Sequence, residues 1–161
     1  MSKAQTISTT ASDPTVAAAA AQFLSPVVLG LQALTINGKQ AHWHVRGANF
    51  VGVHELLDQI VAHAGDFADS AAERIVALGL PIDARLSAVA AKAPETAVAA
   101  GFAQSDAVIR SVVADIDAVL VDVKAAIEGL DEIDLTSQDV AIEIMRNLEK
   151  DRWFLVAHVA E

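Results

Sequence analysis

The sequence predicts an all-α protein built as a four-helix bundle, and its composition supports this in three ways. Hydrophobic residues make up 53% of the 161 residues, and alanine supplies much of that share. Aromatic residues contribute only 4%, and eight glycines and four prolines interrupt the chain. Such a composition favours long helices that pack closely against one another.

The first long helix is placed by its start and stop signals. It is expected to begin near Pro14, or at Ser25-Pro26, where a capping residue precedes a proline suited to the first turn. It should end at about Arg46, because Gly47 is a natural stop. If the helix begins at Pro14, Pro26 lies in its interior and should kink it.

The second helix should run from about Phe50 to Leu78, because Gly79 and Pro81 follow. Residues 80–94 then form a long connection. The segment LSAVAA within this connection is expected to form a short helix.

The third and fourth helices complete the pattern. The third is expected at about 94–128 and should be closed by Gly129. The fourth should begin near Thr136 or Ser137, carry Asp139 in its first turn, and continue almost to the end of the sequence.

The order of these elements predicts a specific architecture. Residues 1–13 are expected to form a flexible tail, and residues 14–161 one domain. Four long helices, with a short helix in the connection between the second and third, are the outline of a ferritin-like four-helix bundle.

Charge and cysteine content exclude several classes of function. The formal net charge of −10 gives a surface that repels phosphate backbones and anionic membranes and attracts cations. Cysteine is absent, which excludes disulfides and thiolate chemistry. The polar start MSKAQTISTTASD predicts a cytoplasmic protein. The apolar segment 16–36 contains glutamines and a proline, so we expect a core helix rather than a membrane span.

Four residues of types that bind metal ions lie on one stripe of the second helix. At about 100° per residue, Asp58, Asp69 and Glu73 lie roughly 40°, 60° and 100° around the helix from His54. Asp58 and Asp69 are nevertheless separated by about 16 Å of helix rise. One ion therefore cannot bind all four residues within a single chain.

Two-fold symmetry would bring the two halves of this stripe together. The midpoint between residues 54 and 73 lies between positions 63 and 64, and so does the midpoint between residues 58 and 69. If two copies of the helix paired antiparallel across a two-fold axis, His54 and Asp58 of one chain would meet Asp69 and Glu73 of the other. Imidazole and carboxylate ligands suit Fe(II), Mn(II) or Zn(II). Small residues near the predicted crossing would permit close approach, namely Ala62, Ala64, Gly65 and Ala68.

Other interpretations remain open at this point. Asp69 and Glu73 could simply neutralise Arg74. No Glu-x-x-His motif supports a metal site within one chain. His42 and His44 both lie near the end of the first helix, but they are about 200° apart, so only one of them can be a ligand of such a site. Structural or surface roles are expected for His63 and His158.

A long motif carries a family resemblance. The run KQAHWHVRGANFVGVHELLDQIVAHAGDFADSAAERI resembles the signature of the Dps family, the dodecameric miniferritins of bacteria. The matching positions include Lys39 to Trp43, Arg46-Gly47, Phe50, His54 to Leu56, Asp58, Asp69 and Ala72 to Arg74, and LEKDRWFLVAH resembles the family's closing helix.

The resemblance implies a function and assigns the site. It places a ferroxidase centre at His42, His54 and Asp58 of one subunit with Asp69 and Glu73 of its two-fold mate, and it places Trp43 beside this centre. It implies oxidation of Fe(II) by hydrogen peroxide or dioxygen, storage of Fe(III) mineral in a hollow homo-oligomeric shell of twelve subunits, and protection against oxidative stress.

The chain departs from the family pattern in two ways. His44 replaces the usual asparagine, and we expect it not to be a ligand. A lysine-rich tail is missing, so DNA binding and association with the nucleoid are expected to be weak or absent. The acidic residues of EGLDEIDLTSQD could simply belong to a solvated loop and the start of the fourth helix. The resemblance suggests instead that some of Asp131, Asp134 and Asp139 line acidic pores that draw Fe(II) inward. Asp139 is the first candidate.

Two other classes of function compete with this assignment. One is a DNA-compacting structural protein, which the acidic composition disfavours. The other is a helical oligomer whose interface metal is structural or hydrolytic, because a carboxylate-rich metal centre can also activate water.

Overall fold

The computed structural model describes residues 13–160 as a helical bundle. The helices are α1 (Pro14–His44), α2 (Phe50–Ala77), the short α3 (Leu86–Lys92), α4 (Ser105–Leu130) and α5 (Leu135–Ala157). Two short strands, β1 (Val45–Arg46) and β2 (Ala103–Gln104), form a parallel pair. The four-helix architecture with a short helix in the second connection is therefore confirmed.

The first helix begins at the earlier of its two predicted starts. Asp13 caps α1 by accepting a hydrogen bond from the backbone N–H of Thr15 at 2.7 Å, and Pro14 occupies the first turn. Pro26 lies in the helix interior. Apart from Asp13, the predicted flexible tail at 1–13 lies outside the described residues.

The helices pack around a core of aliphatic side chains. The main contacts join α1 to α2 and α4, and α4 to α5. Within residues 13–160, α1 is the one helix long and apolar enough to cross a membrane by length and composition. Its core positions, including Leu24, Leu31 and Leu34, are completely or almost completely buried against its neighbours.

The predicted start of the third helix was wrong by about ten residues. Residues 93–104, which we call the crossing segment, are not helical, and α4 begins at Ser105. The crossing segment follows α3 and ends in β2, where Ala103 pairs with Val45 and Gln104 pairs with Arg46. It therefore returns the chain to the end of the bundle where α1 stops and α2 starts.

Two smaller predictions near the fourth helix also need correction. Gly129 does not close α4, which continues to Leu130. A side chain at Gly129 would collide with the ring of Phe23, so close packing explains this glycine. Because α5 begins at Leu135, Asp139 lies in its second turn rather than its first.

Candidate metal centre

Two histidines from neighbouring helices are stacked where α1 ends and α2 begins. The ring centroids of His42 and His54 are 3.7 Å apart, with 22° between the ring planes. His42 is buried, whereas His54 is partly exposed and also packs against the ring of Phe50 at 5.1 Å between centroids. The short α1–α2 loop makes this contact possible, because it folds the end of one helix back onto the start of the next.

Reciprocal hydrogen bonds fix both imidazole rings. The Nδ1 atom of His42 lies 2.8 Å from the carbonyl oxygen of His54, and the Nδ1 atom of His54 lies 3.0 Å from the carbonyl oxygen of His42. Because a carbonyl oxygen can only accept, each neutral ring must carry its proton on Nδ1. Each Nε2 atom therefore keeps a lone pair that can bind a metal ion.

Asp58 joins the histidine pair but is engaged by a lysine. Its Oδ1 atom lies 3.6 Å from Nδ1 of His42, which is beyond hydrogen-bonding distance, and the ammonium of Lys39 donates a hydrogen bond to the same oxygen. This hydrogen bond from Lys39 holds the pKa of Asp58 below its usual value despite partial desolvation. The carboxylate is therefore ionised at neutral pH.

Asp69 and Glu73 lie on the same helix but not beside the histidines. Both are exposed on α2, and the rise from Asp58 to Asp69 is about 16 Å. Within residues 13–160, no group of three or more His, Asp or Glu side chains is arranged to hold a metal ion. Each chain thus presents two separate partial ligand sets.

Only some of the small residues predicted to line the crossing of two α2 helices lie on the surface of the subunit. Ala62 is exposed, and within residues 13–160 a Cβ atom built at Gly65 meets nothing within 4 Å apart from its chain neighbours and the backbone of its own helix. Ala64 and Ala68 are instead buried in the core of their own subunit. Of the four small residues, only Ala62 and Gly65 can meet a second copy of the helix.

Arg74 does not pair with the neighbouring acids of its own helix. Its guanidinium donates to Asp134 at 2.7 Å and to the hydroxyl of the buried Ser137 at 2.9 Å. Burial alone would raise the pKa of Asp134, but the hydrogen bonds from Ser137 and Arg74 outweigh this effect and lower it. This ion pair leaves Glu73 available as a ligand.

The three predicted pore acids have different surroundings. Asp134 is neutralised by Arg74, whereas Asp131 and Asp139 are exposed. From the described residues, 13–160, Asp131 accepts one side-chain hydrogen bond, a long one of 3.3 Å from Gln138. Asp131 and Asp139 thus have more unpaired negative charge to offer to a cation than Asp134 has.

The remaining singled-out residues lie outside the histidine pair. The Nδ1 atom of His44 donates to the carbonyl oxygen of Gln40 at 2.9 Å, and its ring lies 5.3 Å from that of Phe102. His63 contacts the buried carboxylate of Asp151 at 2.9 Å. Trp43 is 62% exposed, so it is not a core residue of the isolated subunit.

The sequence interpretation gave Lys39 no role at the site. A signal was present, because Lys39 precedes His42 by three residues and so shares its helix face. The contact of Phe102 with the end of α1 had no comparable signal, since it depends on the path of the crossing segment.

Comparison with known proteins shows which family the chain belongs to. The ferritin-like domain family matches residues 30–161. A DNA protection during starvation protein from Agrobacterium fabrum is 33% identical over 129 residues, which are 80% of each chain. The chain belongs to the Dps family.

Solved structures of Dps proteins share the fold over nearly the whole chain. Dps from Microbacterium arborescens, solved in a high iron form, is 70% identical, with a TM-score of 0.92 over 94% of this chain and 99% of that one. A Mycolicibacterium smegmatis relative, also a DNA protection during starvation protein, is 35% identical over 128 residues, and this chain spans 66% of its length.

Proposed function

We propose that this protein is a ferroxidase and iron-storage miniferritin whose iron sites are shared between two subunits. The observation that carries the proposal is the reciprocally bonded pair of His42 and His54, which leaves two Nε2 lone pairs free to bind a metal ion, with the Asp58 carboxylate 3.6 Å from the Nδ1 atom of His42. Asp69 and Glu73 of the partner subunit would complete the site.

The chemistry of this ligand set suits iron as the substrate. Imidazole nitrogens accept Fe(II), and carboxylates stabilise the harder Fe(III) product. The high iron form of the 70% identical Microbacterium arborescens Dps supports iron over other divalent metals. With peroxide, two ferrous ions each lose one electron and the O–O bond breaks. With two water molecules, the products are two ferric oxyhydroxide units and four protons. Dioxygen is the alternative oxidant.

The assembly that we propose is a homo-oligomeric shell, a dodecamer as the family resemblance implies. Its two-fold contact would centre on Ala62 and Gly65, which leave room for a second α2. Mineral would be stored inside the shell, and Asp131 and Asp139 would be the stronger candidates for pore acids. We place the protein in the cytoplasm, where consumption of peroxide and Fe(II) limits oxidative damage.

The first test is oxidation of Fe(II) by substoichiometric peroxide on protein sized by light scattering. We expect rapid ferric absorbance and iron retained in an assembly of about twelve subunits. Asp58→Asn and Glu73→Gln should each remove the rapid phase, whereas the exposed control Glu128→Gln should not. Rapid oxidation in both site variants would contradict the assignment. Slow oxidation by a stable, metal-dependent wild-type oligomer would favour a structural or hydrolytic metal.

Mixed subunits test whether the site is shared. Within a dimer of one Asp58→Asn chain and one Glu73→Gln chain, one site carries both substitutions and the other carries neither. Random mixing should therefore restore about a quarter of the wild-type sites. If the site lay within one chain, mixing two inactive variants would restore none.

Binding to DNA is proposed to be weak or absent. The formal net charge is −10 per subunit, which opposes contact with phosphate groups. In a gel-shift assay at physiological salt we expect no retarded DNA. A shift that disappears as salt is raised would instead indicate DNA compaction as a second function.

A further inference from the structure

The last turn of α1 carries His42 and is held from two sides. On one side, the ring and carbonyl of His42 bond to His54 of α2. Gln40 and His44 each lie two residues from His42, which is about 200° around the helix, so they face the opposite side. On that side they contact the crossing segment. The Gln40 side-chain amide donates to the carbonyl oxygen of Ala100 at 3.0 Å.

Phe102 is the main side chain that joins the crossing segment to the end of α1. The guanidinium of Arg46 lies 3.2 Å from the centre of its ring, and the ring of His44 lies 5.3 Å away. A cation over an aromatic face at this distance is attracted to the ring. The next residues, Ala103 and Gln104, pair with β1 directly after the helix.

The other end of the crossing segment is fastened to α4. The hydroxyl of Thr96 donates to Asp115 at 2.6 Å and accepts the backbone N–H of Val98 at 3.0 Å. Burial raises the pKa of the Asp115 carboxyl, and the polar groups of Thr96, Ala97 and Asn37 around it oppose this rise. Thr96 therefore links the segment to the bundle core through a partly buried acid.

Packing beneath the crossing segment is incomplete, so these individual contacts carry more of its attachment. A cavity of about 210 Å³ separates the segment from α1 and α4. Small side chains form most of its lining, including Ala41, Ala99, Ala103 and Ala107. Side chains that line a void lose packing partners on that side.

We propose that Phe102 and Thr96 are positioning residues, which hold the crossing segment against the end of α1 and so keep His42 in place beside His54. This inference rests on the proposed metal-binding function. Loss of either contact should let the last turn of α1 move, and the histidine pair should bind metal more weakly. Neither residue touches the metal itself.

The test is an anaerobic titration of the assembled protein with Co(II), followed by its visible absorption spectrum. In Phe102→Ala, the Co(II) dissociation constant should rise about five-fold, which corresponds to about 1 kcal/mol, and the spectrum should change. Phe102→Tyr keeps the aromatic face and should restore wild-type affinity and spectrum. Thr96→Val, at the other end of the crossing segment, should also raise the Co(II) dissociation constant. Light scattering confirms that the variants remain assembled.

Val121→Ala is the matched control, because Val121 is 69% exposed on α4 and Phe102 is 63% exposed. Equal affinity in Phe102→Ala and the wild type, or an equal loss in the control, would overturn the inference. A wild-type protein that binds no Co(II) and oxidises no Fe(II) would contradict the proposed function itself. The two failures are therefore distinguishable.

Discussion

Lys39 competes with a metal ion for Asp58, so removal of the Lys39 ammonium should make the proposed site bind metal more tightly. Its ammonium already donates a hydrogen bond to one carboxylate oxygen, so an incoming cation must compete with it for the negative charge of Asp58. We predict that Lys39→Met lowers the dissociation constant for Zn(II) at the proposed site. Methionine keeps much of the aliphatic length of lysine, so the packing along α1 should change little.

The size of the effect follows from the exposure of the two side chains. Lys39 is 34% exposed and Asp58 is 50% exposed, so solvent and salt screen their interaction. Exposed ion pairs of this kind change an equilibrium by no more than about five-fold. We therefore expect Lys39→Met to tighten Zn(II) binding by about two- to five-fold at low salt. The difference should shrink towards zero near 1 M salt, where the Debye length falls to about 3 Å.

Isothermal titration of assembled protein with Zn(II) measures this difference. The control is Lys124→Met, whose ammonium lies 3.9 Å from Glu128 on α4 and should not affect Zn(II) binding. Unchanged or weaker binding in Lys39→Met would refute the reasoning, because it would mean that Lys39 does not occupy the metal's position on Asp58. An equal gain in the control would show that the gain comes from net charge alone.

Three further predictions concern the interface, the pH dependence of stability and a buried polar contact. Gly65→Leu should abolish rapid iron oxidation, because a Cβ atom at Gly65 meets no side chain of the described residues within 4 Å and the larger side chain would extend into the space proposed for a partner subunit. Helix content measured by circular dichroism should be unchanged, and the control Ala125→Leu, at an exposed position of α4, should remain active. Burial raises the pKa of Asp115, so the folded protein holds this proton to a higher pH than the unfolded chain does. As pH rises from 3.8 through the raised pKa, the free energy of unfolding of the wild type, measured by chemical denaturation, should fall relative to that of Asp115→Asn. A constant difference between the two proteins across that range would contradict this prediction. Ser137→Ala removes the hydroxyl that accepts the hydrogen bond from Nε–H of Arg74, so the free energy of unfolding should fall by about 1–3 kcal/mol. An unchanged melting temperature would refute this prediction.

Local signals in the sequence were sufficient to place most helix ends. Asp13 and Pro14 mark the start of α1 by capping and by the fixed φ of proline. Gly47 and Gly79 adopt φ values of 97° and 93° just beyond α1 and α2, a conformation that favours glycine. These effects depend on neighbouring residues alone, so they can be predicted without knowledge of the tertiary structure.

The crossing segment could not be predicted from local signals, because the length of the bundle determines its conformation. The 28 residues of α2 carry the chain about 42 Å from the α1–α2 loop, and the start of α4 lies back beside β1. Twelve helical residues at 93–104 would cover only about 18 Å, whereas extended residues cover about 40 Å. The distance to be spanned thus overrides the helical preference of this alanine-rich stretch.

The candidate site divides in the same way between local and tertiary determinants. Helical spacing is enough to place His54, Asp58, Asp69 and Glu73 on one stripe, and the centring of the two pairs predicts the two-fold arrangement. The proton positions on the histidines depend on carbonyl groups of a different helix, so spacing cannot reveal them.

The division of the ligands along α2 also has a consequence for the proposed function. Because about 16 Å of rigid helix separates Asp58 from Asp69, a single subunit cannot bring its own two ligand sets together by local movement. In an unpaired subunit, moreover, Lys39 remains on Asp58 with no partner carboxylates to help a metal displace it. Tight binding of Fe(II), and therefore its oxidation, should begin only after two subunits have paired. This order would confine the reaction to paired subunits, the units from which the proposed shell is built.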